Sequence, residues 1–98
     1  MVLINWTIQA KEDLYDIAEY ISKDSKKYAK YQIKKIRVKT NLLKTDILVG
    51  KKVEEYNDEN LREIFEGNYR IIYKIKDFKK IDIITIHHGA RDLIKRKL

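Results

Sequence analysis

Two apolar runs, Gly67-Asn68-Tyr69-Arg70-Ile71-Ile72-Tyr73-Lys74-Ile75 and Ile81 to His88, flank a short charged connector, Asp77-Phe78-Lys79-Lys80. Paired runs of β-branched and aromatic residues around a turn read as a β-hairpin, and their apolar density places it in the middle of a sheet. Polar exceptions are few: Arg70 near the start of one strand, and His87, His88 and Arg91 at and just past the end of the other. These groups are the candidates for chemistry or for a binding contact, because nothing else in the chain looks reactive. Alternation puts Tyr69, Ile71, Tyr73 and Ile75 on one face, the better core face, and sends Arg70 and Lys74 to the other.

The rest of the chain supplies what that hairpin packs against. Val2, Ile4 and Trp6 alternate with Leu3 and Asn5 as a short first strand, and Thr7 is placed to cap a helix. Ala10, Leu14, Ile17, Ala18 and Ile21 then fall at helical spacing, with Glu12, Asp13, Asp16 and Glu19 outside the stripe. That helix ends near Lys23 or Asp24, and Ser25 caps a longer second one reaching Thr45 to Ile47. The second helix carries a main stripe of Ala29, Ile33, Ile36, Leu43 and Ile47, and a further strip of Tyr31, Val38 and Leu42. Either lysine stems and extra core absorb the second strip, or it is a docking face for a partner chain. The two-residue link makes the helices an antiparallel hairpin. Gly50 opens a polar loop, Lys51 to Asn60, before a strand from Leu61 to Phe65 that turns at Gly67-Asn68. The expected fold is α+β, in the order β-α-α-β-β-β: a helical hairpin on one face of a mostly antiparallel four-stranded sheet. The other face is expected to be partly open, with Arg70 pointing into it.

Ninety-eight residues make one domain, 1–98. No apolar run approaches the ~20 residues of a membrane span, and the N-terminus does not read as a secretory signal, so a cytoplasmic location is the default expectation. Without cysteine there are no disulfides and no thiolate metal sites. The net charge of +7 is unevenly spread. Lys23 to Lys52 contains eleven Lys/Arg against Asp24 and Asp46, whereas Val53 to Glu66 contains six acids against Arg62. A basic face suits an acidic partner, whether nucleic acid, protein surface or ribosome.

Taken in order, Trp6-Thr7, Ala10-x-x-x-Leu14-x-x-Ile17-x-x-Tyr20-Ile21, Asp24-Ser25, Arg62-Glu63-Ile64, Tyr69-Arg70-Ile71-Ile72-Tyr73 and His88-Gly89-Ala90-Arg91-Asp92-Leu93 form a recognisable pattern. It resembles the RelE/ParE superfamily of toxins from type II toxin–antitoxin modules, often labelled plasmid stabilisation proteins, from Leu3 to about Leu93. The resemblance implies one of two activities. RelE-like members cleave mRNA in the ribosomal A site without metal; ParE-like members inhibit DNA gyrase. In both, an antitoxin segment wraps and neutralises the toxin. A member that only binds its antitoxin is a third outcome.

For a RelE-like nuclease the resemblance assigns Arg70 and Arg91 as cations and His88 as acid or base, the imidazole pKa lying nearest neutrality. Such nucleases carry basic residues on the strand before the turn, where this chain has Leu61 and Glu63, and commonly a tail tyrosine, which this chain lacks after Arg91. The His88-Gly89-Ala90-Arg91 ending with its short basic tail looks more like the ParE branch. Arg70 alternatively pairs with a neighbouring carboxylate such as Glu63, and His87 and His88 close the strand with local hydrogen bonds. Adjacent strand residues point to opposite faces, so the two histidines do not converge on a metal; no cofactor is expected. The antitoxin is expected on the helix surface and sheet edge, its acids meeting the Lys26 to Lys44 flank, Lys34 included, and its apolar groups meeting Tyr31, Val38 and Leu42.

Overall fold

The computed structural model describes residues 2–89 and Leu93. Strand β1 is Leu3–Trp6, helix α1 Ile8–Ser22, helix α2 Lys26–Asn41, and a single 3₁₀ turn follows over Leu42–Lys44. Strands β2 (Lys51–Lys52), β3 (Leu61–Glu66), β4 (Tyr69–Asp77) and β5 (Lys80–His88) follow. The sheet order is β1-β5-β4-β3-β2, with β1 parallel to β5 and every other pair antiparallel.

The β4–β5 hairpin forms as the apolar runs require, paired from Tyr69 opposite His88 to Asp77 opposite Lys80, with register shifts between Ile72 and Tyr73 and between Ile75 and Asp77. The Lys79 N–H donates to Asp77 Oδ1 at 2.7 Å, so the connector closes on its own aspartate. At the other end Gly67 takes φ +57°, the left-handed conformation a glycine reaches without cost. Both helix caps form at the expected residues. Thr7 Oγ1 accepts from the Ala10 N–H at 3.1 Å while its hydroxyl donates to the Ile83 carbonyl at 2.7 Å, tying the start of α1 to β5. Ser25 Oγ accepts from the Tyr28 N–H at 3.0 Å.

Three features depart from the sequence reading. The sheet has five strands, the fifth being Lys51–Lys52 inside the expected loop. Two lysines carry no apolar alternation, and lysine on an edge strand blocks further pairing. Helix α2 stops at Asn41 and tightens into the 3₁₀ turn, short of Thr45. The third departure is the second sheet face, which is covered.

Ala10, Leu14, Ile36 and Leu43 pack from the helical side onto Ile71, Tyr73, Ile81, Ile83 and Ile86. On the opposite face a smaller core joins Val53, Leu61, Ile72 and Leu93, with Tyr56 and Ile84 against it. The segment 53–60 is thus a strap across the face expected to be open, and β4 buries Ile71, Ile72 and Tyr73 in succession. The Tyr73 hydroxyl donates to the Ile47 carbonyl at 2.8 Å and accepts from the Gly50 N–H at 3.0 Å. A Cβ on Gly50 would lie 2.5 Å from that hydroxyl and 2.7 Å from the Glu63 carbonyl oxygen, so only glycine fits there. No described helix is long and apolar enough to cross a membrane.

Candidate functional site

Arg70 projects from β4 onto the strapped face. Its Nε donates to Glu63 Oε1 at 2.5 Å, and its two terminal nitrogens donate to Glu55 Oε2 and Oε1 at 2.7 and 2.9 Å. Glu63 is 2% exposed and the Arg70 side chain 11%. Glu63 reaches Arg70 from the neighbouring strand, and Glu55 reaches it from the strap, a bidentate fork that matches guanidinium geometry. The hydrogen bonds that Arg70 donates hold the Glu55 carboxyl down at about 2, and the same bonds, accepted by Glu55, push the guanidinium above its ordinary value. One cation between two carboxylates leaves a local excess of negative charge. A phosphate approaching Arg70 must displace a bidentate partner and face that excess.

The depressed Glu55 carboxyl contributes stability that is fully present above the ordinary glutamate range and is lost as pH falls toward its folded value. Glu55→Gln is therefore expected to lose less stability than the parent between about pH 5 and about pH 2, as read from urea midpoints. Equal acid sensitivity of the two proteins counts against the clamp.

Of the three candidate nuclease residues, Arg70 and His88 lie on opposite faces of the sheet. Arg70 lies opposite His87, which is buried on the strapped face, whereas His88 lies opposite Tyr69 and meets its ring edge-on at 5.5 Å on the helical face. Arg91 lies outside the described residues. Of the two pairing partners on Arg70, Glu63 was legible as a charge alternating with Leu61 and Phe65; Glu55 sits in a run of acids with no periodicity to mark it.

The four residues expected to meet an antitoxin do come together. Tyr31, Lys34, Val38 and Leu42 line one groove of about 320 Å³ along α2, with Lys35, Lys39 and Glu66 at its edges. Tyr31, Val38 and Leu42 are 55%, 56% and 51% exposed, which makes the strip surface and not core. On the other side of α2, Lys26, Lys30, Lys34 and Arg37 rim a groove of about 600 Å³ against α1, floored by Ala18, Ala29 and Ile33. Helix α2 holds seven cations and no carboxylate. Among the described residues only Lys35 of the seven has an acidic partner, Glu66 at 3.5 Å.

No curated protein matches the chain. Its fold is similar to a solved structure described as a chromosomal ParDE TA system from P. aeruginosa, with a TM-score of 0.74 and 20% identity over 90% of this chain and 96% of that one. The family model that matches, described as ParE toxin of type II toxin-antitoxin system, parDE, extends over residues 4–93. With nearly all of its length so matched, and with the helical hairpin and sheet of that fold, the chain belongs to the ParE toxin family of type II toxin–antitoxin systems.

Proposed function

We propose that the protein is a toxin that inhibits DNA gyrase and is held inactive by a cognate antitoxin. The observation that carries this reading is the double carboxylate clamp on Arg70. A metal-free nuclease needs cations free to stabilise the charge developing on the scissile phosphate. Here the cation at that position is committed to Glu63 and Glu55, and the His88 imidazole is on the far face of the sheet. The surface features that remain are apolar strips rimmed by lysine, which suit binding to proteins. Both proposed partners place its action in the cytoplasm.

Expression without antitoxin tests the choice of target. Growth arrest with broken DNA and intact transcripts is the expected outcome. Cuts at codon positions in translated mRNA, abolished by Arg70→Ala, assign a ribosome-dependent nuclease instead.

The antitoxin's seat is the groove of Tyr31, Lys34, Val38 and Leu42. An acidic amphipathic segment fits it: apolar side chains on Val38 and Leu42, carboxylates on Lys34 and its neighbours. Leu42 is half exposed, so Leu42→Asp is expected to leave the isolated domain within about 0.5 kcal/mol of the parent. The same change is expected to weaken the toxin–antitoxin complex by about 2 kcal/mol, measured by titration calorimetry. Equal losses in both measurements contradict this assignment.

A further inference from the structure

The end of the fold that carries the Gly67-Asn68 turn gathers aromatic surface that extends beyond the antitoxin groove, with Tyr31 the one ring common to both. Tyr20, near the end of α1, is 73% exposed and Tyr28, in the first turn of α2, is 52% exposed. The Tyr28 and Tyr31 ring centres lie 6.0 Å apart; burial pushes the Tyr69 phenol up, and Tyr28 and Tyr20 add to that shift electrostatically. The Tyr69 ring carries the sequence on to His88, and His88, Phe65 and Asn68 line a cavity of about 390 Å³ beside the turn. Cations stand against the outer rings: Lys35 Nζ is 5.2 Å from the centre of Tyr31, and Lys51 Nζ is 5.3 Å from that of Phe65. Helical spacing brings Lys27, Lys34 and Lys35 to the same side of α2 as Tyr31.

We infer that this end binds single-stranded nucleic acid, unpaired bases lying on the tyrosine rings and phosphates on the lysines of α2. Exposed rings beside a cationic helix face, on which Lys35 alone has an acidic partner among the described residues, are what a sequence-tolerant single-strand site requires, since every base has a π-face and every linkage a charge. The Asn68 amide at the mouth of the cavity offers both a donor and an acceptor to the edge of a base. An acidic peptide satisfies the lysines equally well but makes little use of the rings, and an apolar helix is better served by Val38 and Leu42 than by three phenols. The site is separate from Arg70, whose phosphate-binding capacity is consumed by Glu55 and Glu63. The inference does not depend on which target the toxin acts upon.

Fluorescence anisotropy of the full chain with a labelled oligothymidine tests it. Binding is expected to weaken with salt, at about −0.7 in log K against log salt for each phosphate contacted, and Lys27→Ser is expected to remove about one contact from that slope. Tyr28→Ala is expected to lower affinity about tenfold, and Tyr28→Phe to keep it, because the ring and not the hydroxyl does the stacking. Tyr20→Ala, on the other helix and more exposed, provides a second test should Tyr28→Ala fold poorly. A duplex of equal length is expected to bind more weakly. Binding unchanged by both alanine variants, or equal for duplex and single strand, overturns the inference in favour of unspecific charge attraction. A glutamate-rich peptide that binds as tightly and is equally sensitive to Tyr28→Ala assigns the face to an acidic protein. Gyrase inhibition without oligonucleotide binding removes this inference alone, and the converse result removes only the gyrase reading.

Discussion

Arg70→Ala is expected to cost about 3–5 kcal/mol of folding stability, the loss typical when one partner of a buried ion pair is removed. Glu63 is 2% exposed, and without the guanidinium its charge has neither water nor a counter-ion. Glu55 also loses the fork that pins the strap to the sheet, beneath which Val53, Leu61 and Ile72 are packed. For a domain of this size the melting temperature should fall by roughly 15–30 °C, readable by circular dichroism. Arg70→Met combined with Glu63→Leu is expected to recover much of the loss, because an apolar pair of similar volume leaves no buried charge stranded and the exposed Glu55 can turn to water. The double variant also separates structure from function. If Arg70 is a clamp, toxicity returns when the fold returns. A stable, non-toxic Arg70→Ala protein would instead place the guanidinium in contact with the target.

Asp13→Ala is expected to cost about 2–4 kcal/mol, by orphaning two buried donors at about 1–3 kcal/mol each. Asp13 lies in α1 at 7% exposure, and one of its oxygens accepts from the Thr85 hydroxyl and from the Ile86 N–H, the latter at 3.0 Å. The ladder between β4 and β5 shifts register here, Ile72 pairing with Thr85 and Tyr73 with Ile83. Strand β1 pairs with β5 only as far as Ile83, so the next stretch of that β5 edge has no strand partner, and the helical carboxylate takes that place. Gln9 Nε2 donates to the other oxygen at 3.0 Å and steadies it. Asp13→Asn keeps an acceptor but turns an amide N–H₂ toward one donor, so an intermediate loss is expected. A change below about 0.5 kcal/mol in Asp13→Ala, the size of an ordinary surface substitution, contradicts the role assigned to this carboxylate.

Asp13 also marks where sequence patterning fails. Its position falls outside the stripe of Ala10, Leu14 and Ile17, so periodicity assigns it to solvent; only the end of β1 opposite Ile83, which leaves the next stretch of β5 without an edge partner, gives a buried carboxylate its work. The hairpin, both N-caps and the Gly67 turn were legible because each depends on contacts within a few residues. The strap was not. Val53 looks like one more residue in a polar loop until the ion pairs of Glu55 with Arg70 and of Asp58 with Lys74 bring it across the sheet. The α2 groove was legible for a different reason: Tyr31, Val38 and Leu42 are spaced seven and four apart, a period that survives whether the face meets core or solvent. Exposure, which patterning does not settle, makes it a surface.

We propose that this ParE-family chain acts on gyrase as a protein-binding inhibitor. The most direct measurement is to titrate the purified protein into DNA gyrase acting on supercoiled plasmid and to look for broken DNA after the enzyme is denatured. Accumulation of linear plasmid with dose, suppressed by stoichiometric antitoxin, is the predicted result. Intact plasmid and undiminished gyrase turnover at doses that arrest growth, with a fully folded protein, would contradict the claim.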